Sequence, residues 1–496
     1  MPRIGSDGMG RNETFLKKAE ALEPKLFRET IACPADLPAV MKTGDSVTLD
    51  FGNHYVGHLT LRFSTVGSHF DAPAWLRIKF AERLCELEEN AEDYHGWISK
   101  GWIQQEQIHI DVFPCTLRLP RRYAFRYVRI EALDISSKYQ LRLDEAVGEA
   151  VSSADDHALK PLATEDTQLA QLDAIACRTL RSCMQTVFED GPKRDRRLWM
   201  GDLRMQALAN YETYKNNDLV KRCLYLFAGT TMEQDKVGAC LFLEPEIEVD
   251  DTDMFDYELF YIPTLLSYLE ATGDADTAQE LYPTAIHQLS IAKQQMDENG
   301  IVMDSDRLGW CFVDWNLHLN KQASAMGIYL YCLDAAERLA RRLSTEDSFA
   351  EELLALRRKA KEHFWDQEKQ VFVSGAERQV SWASQVWMVL GGVVTGEEAS
   401  ALLGRMEHLP DAMTMVTPYM YHNYVDALIT VGQKDKALSV LRSYWGGMAQ
   451  QGADTFWELY DPESPDASPY GGTIVNSYCH AWSCAPAYFL RKYYKG

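Results

Sequence analysis

Several things are missing from this sequence, and each absence closes off a class of function. No run of about 18 apolar residues occurs among its 496 residues, so no stretch reads as a membrane-crossing helix. Residues 1–25 carry no apolar core of a secretion signal, and the expectation is a soluble, cytoplasmic protein. Basic residues are in short supply: 50 Lys and Arg face 73 Asp and Glu, a net charge of −23 that repels phosphate backbones and anionic bilayers. Neither nucleic acid nor membrane is therefore expected as a partner. The 30 glycines and 18 prolines are too few for a low-complexity chain. The 11 cysteines are odd in number and form no C-x-x-C pair, which suits reduced thiols buried as small hydrophobes. There is no G-x-x-x-x-G-K-[ST], no G-x-G-x-x-G and no H-E-x-x-H. Asp251 and Asp253 imitate the start of a calcium loop, but Asp256 stands where its glycine belongs. Cys479, His480 and Cys484 lack a second ligand pair for zinc. No cofactor and no metal are expected.

What is present is the 46% hydrophobic, 25% charged balance of an ordinary globular chain, long enough for two to four domains at about 150 residues each. From about 45 to 145 apolar residues alternate: Leu59, Leu61, Phe63; Leu76, Ile78, Phe80; Ile108, Ile110, Val112. Alternation with period two is the mark of half-buried strands, and with YAFRYVRIEAL at 123–133 it predicts an antiparallel β-sandwich. After the polar stretch SSADDHALKPLATEDT the period changes to three and four: Leu169, Leu172, Ala176, Leu180 and Cys183, with Thr164 or Thr167 as the expected cap. Met326, Tyr329, Leu330, Leu333, Ala336, Ala340 and Leu343 make a second helical stripe, and Ala437, Val440, Leu441 and Tyr444 a third, all read as core. Helix–turn–helix patterns recur near 216, 273 and 432. Hairpins of about 55 residues fitted into 165–496 give about six, which can close into an (α/α)6 barrel or stack as an open solenoid. The closed ring is favoured, and the domains are set at 1–155 for the β-sandwich and 156–496 for the barrel.

The segments between these helices mix acids with Trp or Tyr: DGPKRDRRLWMGD at 190–202, DDTDMFDYE at 250–258, DRLGWCFVDW at 306–315, VSWASQVW at 380–387 and DTFWELYD at 454–461. Asp195, Asp256, Asp314, Trp382 and Glu458 mark them about one hairpin apart, which places them on one rim of a ring. Carboxylates beside aromatic platforms suit a carbohydrate, whose apolar faces stack on rings while its hydroxyls take directional hydrogen bonds. Glycoside hydrolysis needs one carboxyl to protonate the leaving oxygen and a second to activate water or attack the anomeric carbon. Asp195, among Lys193, Arg194, Arg196 and Arg197, and Glu458, between Trp457 and Tyr460, are the candidate pair. Its neighbours decide the state of Asp195: burial, Glu458 and Asp202 favour its protonated form, the cations its charged form.

At this level of detail the chain resembles the inverting α-L-rhamnosidases of glycoside hydrolase family 78, through most of its length. DGPKRDRRLWMGD looks like the family segment that carries its catalytic acid, 452–462 like the segment of its general base, and NSYCHAW at 476–482 like its N-S-F-N-H-Y-A stretch. LDFGNHYVGHLTL, FAERL and FRYVRIEAL are similar to its N-terminal β-domain. The resemblance makes Asp195 the general acid and Glu458 the general base, about 6.5–9.5 Å apart, with Asp190, Arg194, Trp199 and Asp202 shaping the sugar subsite. Asp256, Tyr257, Asp314, Trp315 and His480 transfer more weakly, and Trp310, Trp382 and Trp457 complete the candidate sugar contacts. Two departures stand out: the family mostly has Glu where Asp195 stands, and Cys479 replaces an Asn before His480. The chain also stops after its last helix, which implies a compact intracellular enzyme for short glycosides. The expected substrate is a small rhamnoside, and the assembly is left open, a homodimer included. Another glycone, a phosphorylase and an inactive sugar-binding barrel are the other readings.

Overall fold

The computed structural model describes residues 10–304 and 307–494; Asp306, which opens one of the acidic loops, lies outside them. Its N-terminal third is organised by one long strand, Ser46–Gly67. Residues 46–57 of this strand pair antiparallel with Tyr123–Asp134, and residues 57–67 with Tyr139–Ser152, the register shifting between Asp50 and Tyr55. One strand thereby serves two sets of neighbours: Ala74–Ala81 and Gln105–Ile110 extend the first, and Phe27–Ala32 and Ala39–Met41 the second. Leu59, Leu61, Phe63, Leu76, Ile78 and Phe80 all face one core, as their alternation requires. Val112 does not. The strand ends at Ile110, and Val112, in the turn toward Pro114, is 65% exposed.

From Thr167 the chain is helical. Leu169, Leu172, Ala176, Leu180 and Cys183 are buried along Thr167–Cys183, but the cap is neither expected threonine: the Asp166 side chain accepts the Leu169 N–H at 3.1 Å, while Thr164 accepts from Asp166 itself. The stripe on Gln322–Leu343 is buried throughout. The turns near 216, 273 and 432 each join two helices; Gly273 and Gly432 take positive φ there, which only glycine adopts without cost. The last helix, Ala485–Tyr493, packs on the first helix of this series, and Arg491 donates to both oxygens of Asp173 at 2.6 and 2.7 Å. The helix Glu13–Ala21, within the 1–155 span, packs against Asn217–Gly229 of the helical part: Leu16 and Ala19 belong to the helical core.

The two parts are joined by buried polar contacts. His54 Nε2 meets Glu82 at 3.0 Å and its Nδ1 meets Ser182 at 3.1 Å, while the second Glu82 oxygen accepts the Tyr478 N–H at 2.7 Å. Cys479 lies beside this pair, so His54, Glu82 and Cys479 have the proximity of metal ligands. Both His54 nitrogens and both Glu82 oxygens already hold protein partners, which is the pattern of a clamp. Lys193, fully buried, pairs with Glu86 of the β-rich part. No helix among the described residues is long and apolar enough to cross a membrane.

Candidate active site

The loop between Thr167–Cys183 and the helix Met200–Glu212 is wound around Asp190, whose two oxygens accept the backbone N–H groups of Asp195 (3.0 Å) and Arg197 (3.1 Å). The Arg194–Asp195 peptide is cis. This winding decides where the four cations point. Lys193 turns to Glu86 and the Asn476 carbonyl; Arg194 donates to Val475 O and to Glu458 Oε2, both at 2.6 Å; Arg196 reaches the Lys193 carbonyl; Arg197 lies 3.5 Å from Asp250. Among the described residues none of them hydrogen-bonds the half-buried Asp195 carboxyl, which is left facing a pocket of about 410 Å³.

Glu458 stands in the same pocket, 5% exposed. Burial alone would raise its pKa, but Arg194, His480 and a hydrogen bond from the Tyr470 hydroxyl outweigh it and hold the carboxyl below its ordinary value. It is a carboxylate at neutral pH. Asp202, in the first turn of its helix, meets His480 Nε2 at 3.0 Å. Burial pulls the His480 pKa down, yet Asp202, Glu458 and Asp190 lift it to about 9, so the ring is cationic and both nitrogens donate. Among the described residues its Nδ1 is buried with no partner, as is Trp315 Nε1, and both residues line the pocket. Asp190, buried beside Asp195 and Asp202, is pushed up to about 7.

Ten of the fourteen expected site residues line this one pocket: Asp190, Arg194, Asp195, Trp199, Asp202, Tyr257, Trp310, Trp315, Glu458 and His480. Four do not, and each has another occupation. Asp256 accepts the N–H groups of Phe312 (3.0 Å) and Val313 (3.0 Å), tying the 312 turn in place. Asp314 accepts from Val416 N–H (2.9 Å) and the Thr417 hydroxyl (2.6 Å). Trp382 packs edge-on to Tyr424, and Trp457 is buried between Tyr460 and Tyr478 with the Arg83 guanidinium over its ring. Four lining residues went unpredicted: Met254, Phe312, Tyr470 and Trp482. Met254 and Phe312 lie inside segments already marked by their acids and tryptophans, and Trp482 ends the NSYCHAW stretch of the family resemblance; Tyr470 sits in ESPDASPYGG, where no pattern singles it out. It donates to Glu458 Oε1, carries the Arg194 guanidinium 3.9 Å over its ring and meets Trp315 edge-on.

An N-terminal β-rich part, a helical part of hairpins and a pocket pairing two carboxyls among aromatic walls define a six-hairpin glycosidase. Residues 28–150 match the glycosyl hydrolase family 78 alpha-rhamnosidase N-terminal domain, and residues 159–494 the bacterial alpha-L-rhamnosidase six-hairpin glycosidase domain. The chain belongs to the alpha-L-rhamnosidases of glycosyl hydrolase family 78. It is 45% identical to a rhamnosidase from Klebsiella oxytoca, solved with rhamnose bound, over 98% of this chain and 99% of that one, with a TM-score of 0.94. A family 78 rhamnosidase of Bacillus sp. GL1 shares the fold at 22% identity and TM-score 0.76, over 92% of this chain and 48% of its own length. The Streptomyces avermitilis alpha-L-rhamnosidase complexed with L-rhamnose does so at 17% and 0.69, over 95% and 44%. No curated protein matches the chain.

Proposed function

We propose that this protein removes a terminal α-L-rhamnose from small rhamnosides by a single displacement, with Asp195 as general acid and Glu458 as general base, on helices closed into an (α/α)6 ring. The observation that carries the reading is the contrast between the two carboxyls of one pocket. Glu458 is buried, charged and held at both oxygens, by Arg194 and Tyr470. A carboxylate has about four acceptor sites, so two bonds still leave it room to take a proton from water. Asp195 is half-buried in the same lining, and among the described residues no hydrogen bond reaches its carboxyl, which leaves it open to a glycosidic oxygen. Inversion follows if a water fits between the two groups. The Klebsiella oxytoca enzyme, with its bound rhamnose, supports rhamnose as the glycone. His480, whose Nδ1 has no hydrogen-bond partner among the described residues, and Trp315 both line the pocket and are the donors we assign to sugar hydroxyls. The contact between the first and last helices supports closure of the ring.

The test is a proton NMR time course with an aryl α-L-rhamnopyranoside. β-L-Rhamnose appearing before mutarotation is the expected result. The α-anomer appearing first would overturn single displacement, and no release would overturn the glycone.

A further inference from the structure

A second cavity, of about 1230 Å³, lies between the β-rich part and the helical part. Among the described residues Asp195 is the one that lines both this cleft and the sugar pocket. A general acid has to touch the oxygen that joins glycone to aglycone, so a residue bounding two cavities at that bond separates the sugar side from the leaving-group side. Resting on the rhamnosidase reading, we propose that the cleft seats the aglycone and that Arg196 selects one bearing a carboxylate.

The walls carry an unusual charge for a chain of net −23. Arg28 and Arg122 enter from the β-rich part, Arg196 and Arg197 from the loop of Asp195. Three of these four are already engaged. Arg28 pairs with Glu149, Arg122 donates to both oxygens of Glu189 at 2.8 Å, and Arg197 lies 3.5 Å from Asp250 with its guanidinium over the Phe242 ring. Arg196 gives its Nε to the Lys193 carbonyl at 3.2 Å, and among the described residues no carboxylate pairs its two terminal nitrogens. Of the remaining acids on the walls, Glu244 is exposed at the rim and Asp195 is the proposed acid itself.

Burial and the nearby Arg122 press the Arg196 pKa down to about 10, against the pull of Glu189, whose oxygens Arg122 already holds, so the group stays charged at neutral pH with no carboxylate bonded to it among the described residues. A planar guanidinium with two free donors matches a carboxylate in fork geometry. Trp102, Phe242 and Leu243 supply an apolar surface for the body of the same aglycone.

The test compares 4-(2-carboxyethyl)phenyl and 4-(2-carbamoylethyl)phenyl α-L-rhamnosides. The two are matched in size, and the remote substituent leaves the acidity of the phenol nearly alone. The full chain should favour the carboxylate by about tenfold in kcat/KM, the scale of one charge-assisted hydrogen bond. Arg196→Gln should bring that ratio close to one, and Arg196→Lys should leave it in between, since lysine keeps the charge without the fork. Salt raised into the molar range should erode the wild-type ratio, a reading that needs no variant to fold. A wild-type ratio near one, or a preference untouched by Arg196→Gln, overturns the proposal, and a preference for the matching sulfonate over the carboxylate overturns the choice of anion. If neither rhamnoside is cleaved, the hydrolase reading fails, and the cleft is tested by itself with 3-(4-hydroxyphenyl)propanoate and its amide in calorimetry. Tighter binding of the propanoate, lost in Arg196→Gln, upholds the site; equal binding overturns it.

Discussion

The acids of the segments that carry both carboxylates and aromatic residues fall into two sets that look alike in sequence and behave differently in the fold. Asp190, Asp202 and Glu458 line the pocket with Asp195, and two of them are answered by side chains that carry charge: Arg194 for Glu458, His480 for Asp202. Asp256 and Asp314 are buried as deeply, yet their oxygens are spent on backbone N–H groups and a threonine hydroxyl, and they line no part of the pocket. Burial raises the pKa in both, Asp314 to about 6. The difference teaches that an acid beside an aromatic residue in a loop is equally good at holding the loop and at working in its mouth. What separates the uses is the partner, and the partner comes from a distant part of the chain.

The largest expected effect breaks the comparison if it fails. Glu458→Gln and Asp195→Asn should each lower kcat by about 10²–10⁴ while leaving the fold intact, as loss of a general acid or base does. Near-wild-type turnover in either variant would remove that residue from the mechanism.

The next effect is on stability, and it belongs to the pocket set. The folded pKa of His480 lies near 9, above its ordinary 6.5, so its contribution is complete below about pH 6.5 and is lost as pH rises through 9. That contribution is on the order of 3 kcal/mol. The wild-type melting temperature should therefore fall across this window, and the fall should be shallower in His480→Gln. His54, lifted to about 9 against the pull of its burial by Cys479, Glu82 and Asp454, keeps part of the slope in the variant. A slope identical in both proteins would show that the Asp202–His480 pair does not titrate as described.

For the loop-holding set the prediction reverses. Asp256→Asn puts an amide where two N–H groups point at a carboxylate, and should cost about 1–3 kcal/mol in urea unfolding. Turnover of the folded protein should fall less than tenfold. A loss as deep as that of Glu458→Gln would put Asp256 back among the residues that do the chemistry.

Much of this was legible in the sequence, for physical reasons that can be named. Period-two alternation placed Leu59 to Phe63 and Leu76 to Phe80 in the core because a strand has only two faces, and the stripe from Met326 to Leu343 worked because a helix buries one side. Ten of the fourteen residues expected from the sequence line one pocket, since acids and tryptophans are costly to bury without purpose. What failed was orientation. KRDRR reads as a cationic cluster around Asp195, yet the fold sends Lys193 to Glu86, 107 positions away in sequence, and Arg194 to Glu458, 264 away. The cap on Thr167–Cys183 fell to Asp166 because it is the residue directly before the first helical one, from which a side chain reaches back to the N–H three positions on. The helix Glu13–Ala21 has an amphipathic pattern, but nothing in it says that its partner is Asn217–Gly229.

Tyr470 is the sharpest case of information that resides in the fold. It lies in a Pro- and Gly-bearing loop without periodicity, and only the path of that loop brings its hydroxyl to Glu458 Oε1 and its ring under Arg194. Tyr470→Phe keeps the ring and removes the donor. The carboxylate of Glu458 then loses one of the bonds that favour its charged form, so its pKa rises and the acidic limb of the kcat/KM profile moves to higher pH. Because Arg194 still holds the other oxygen, kcat should drop by only about tenfold, the scale of one hydrogen bond to a charged group. A purely structural tyrosine would lower the melting temperature and leave the limb where it was; a moved limb with an unchanged melting temperature assigns the hydroxyl to the tuning of the base.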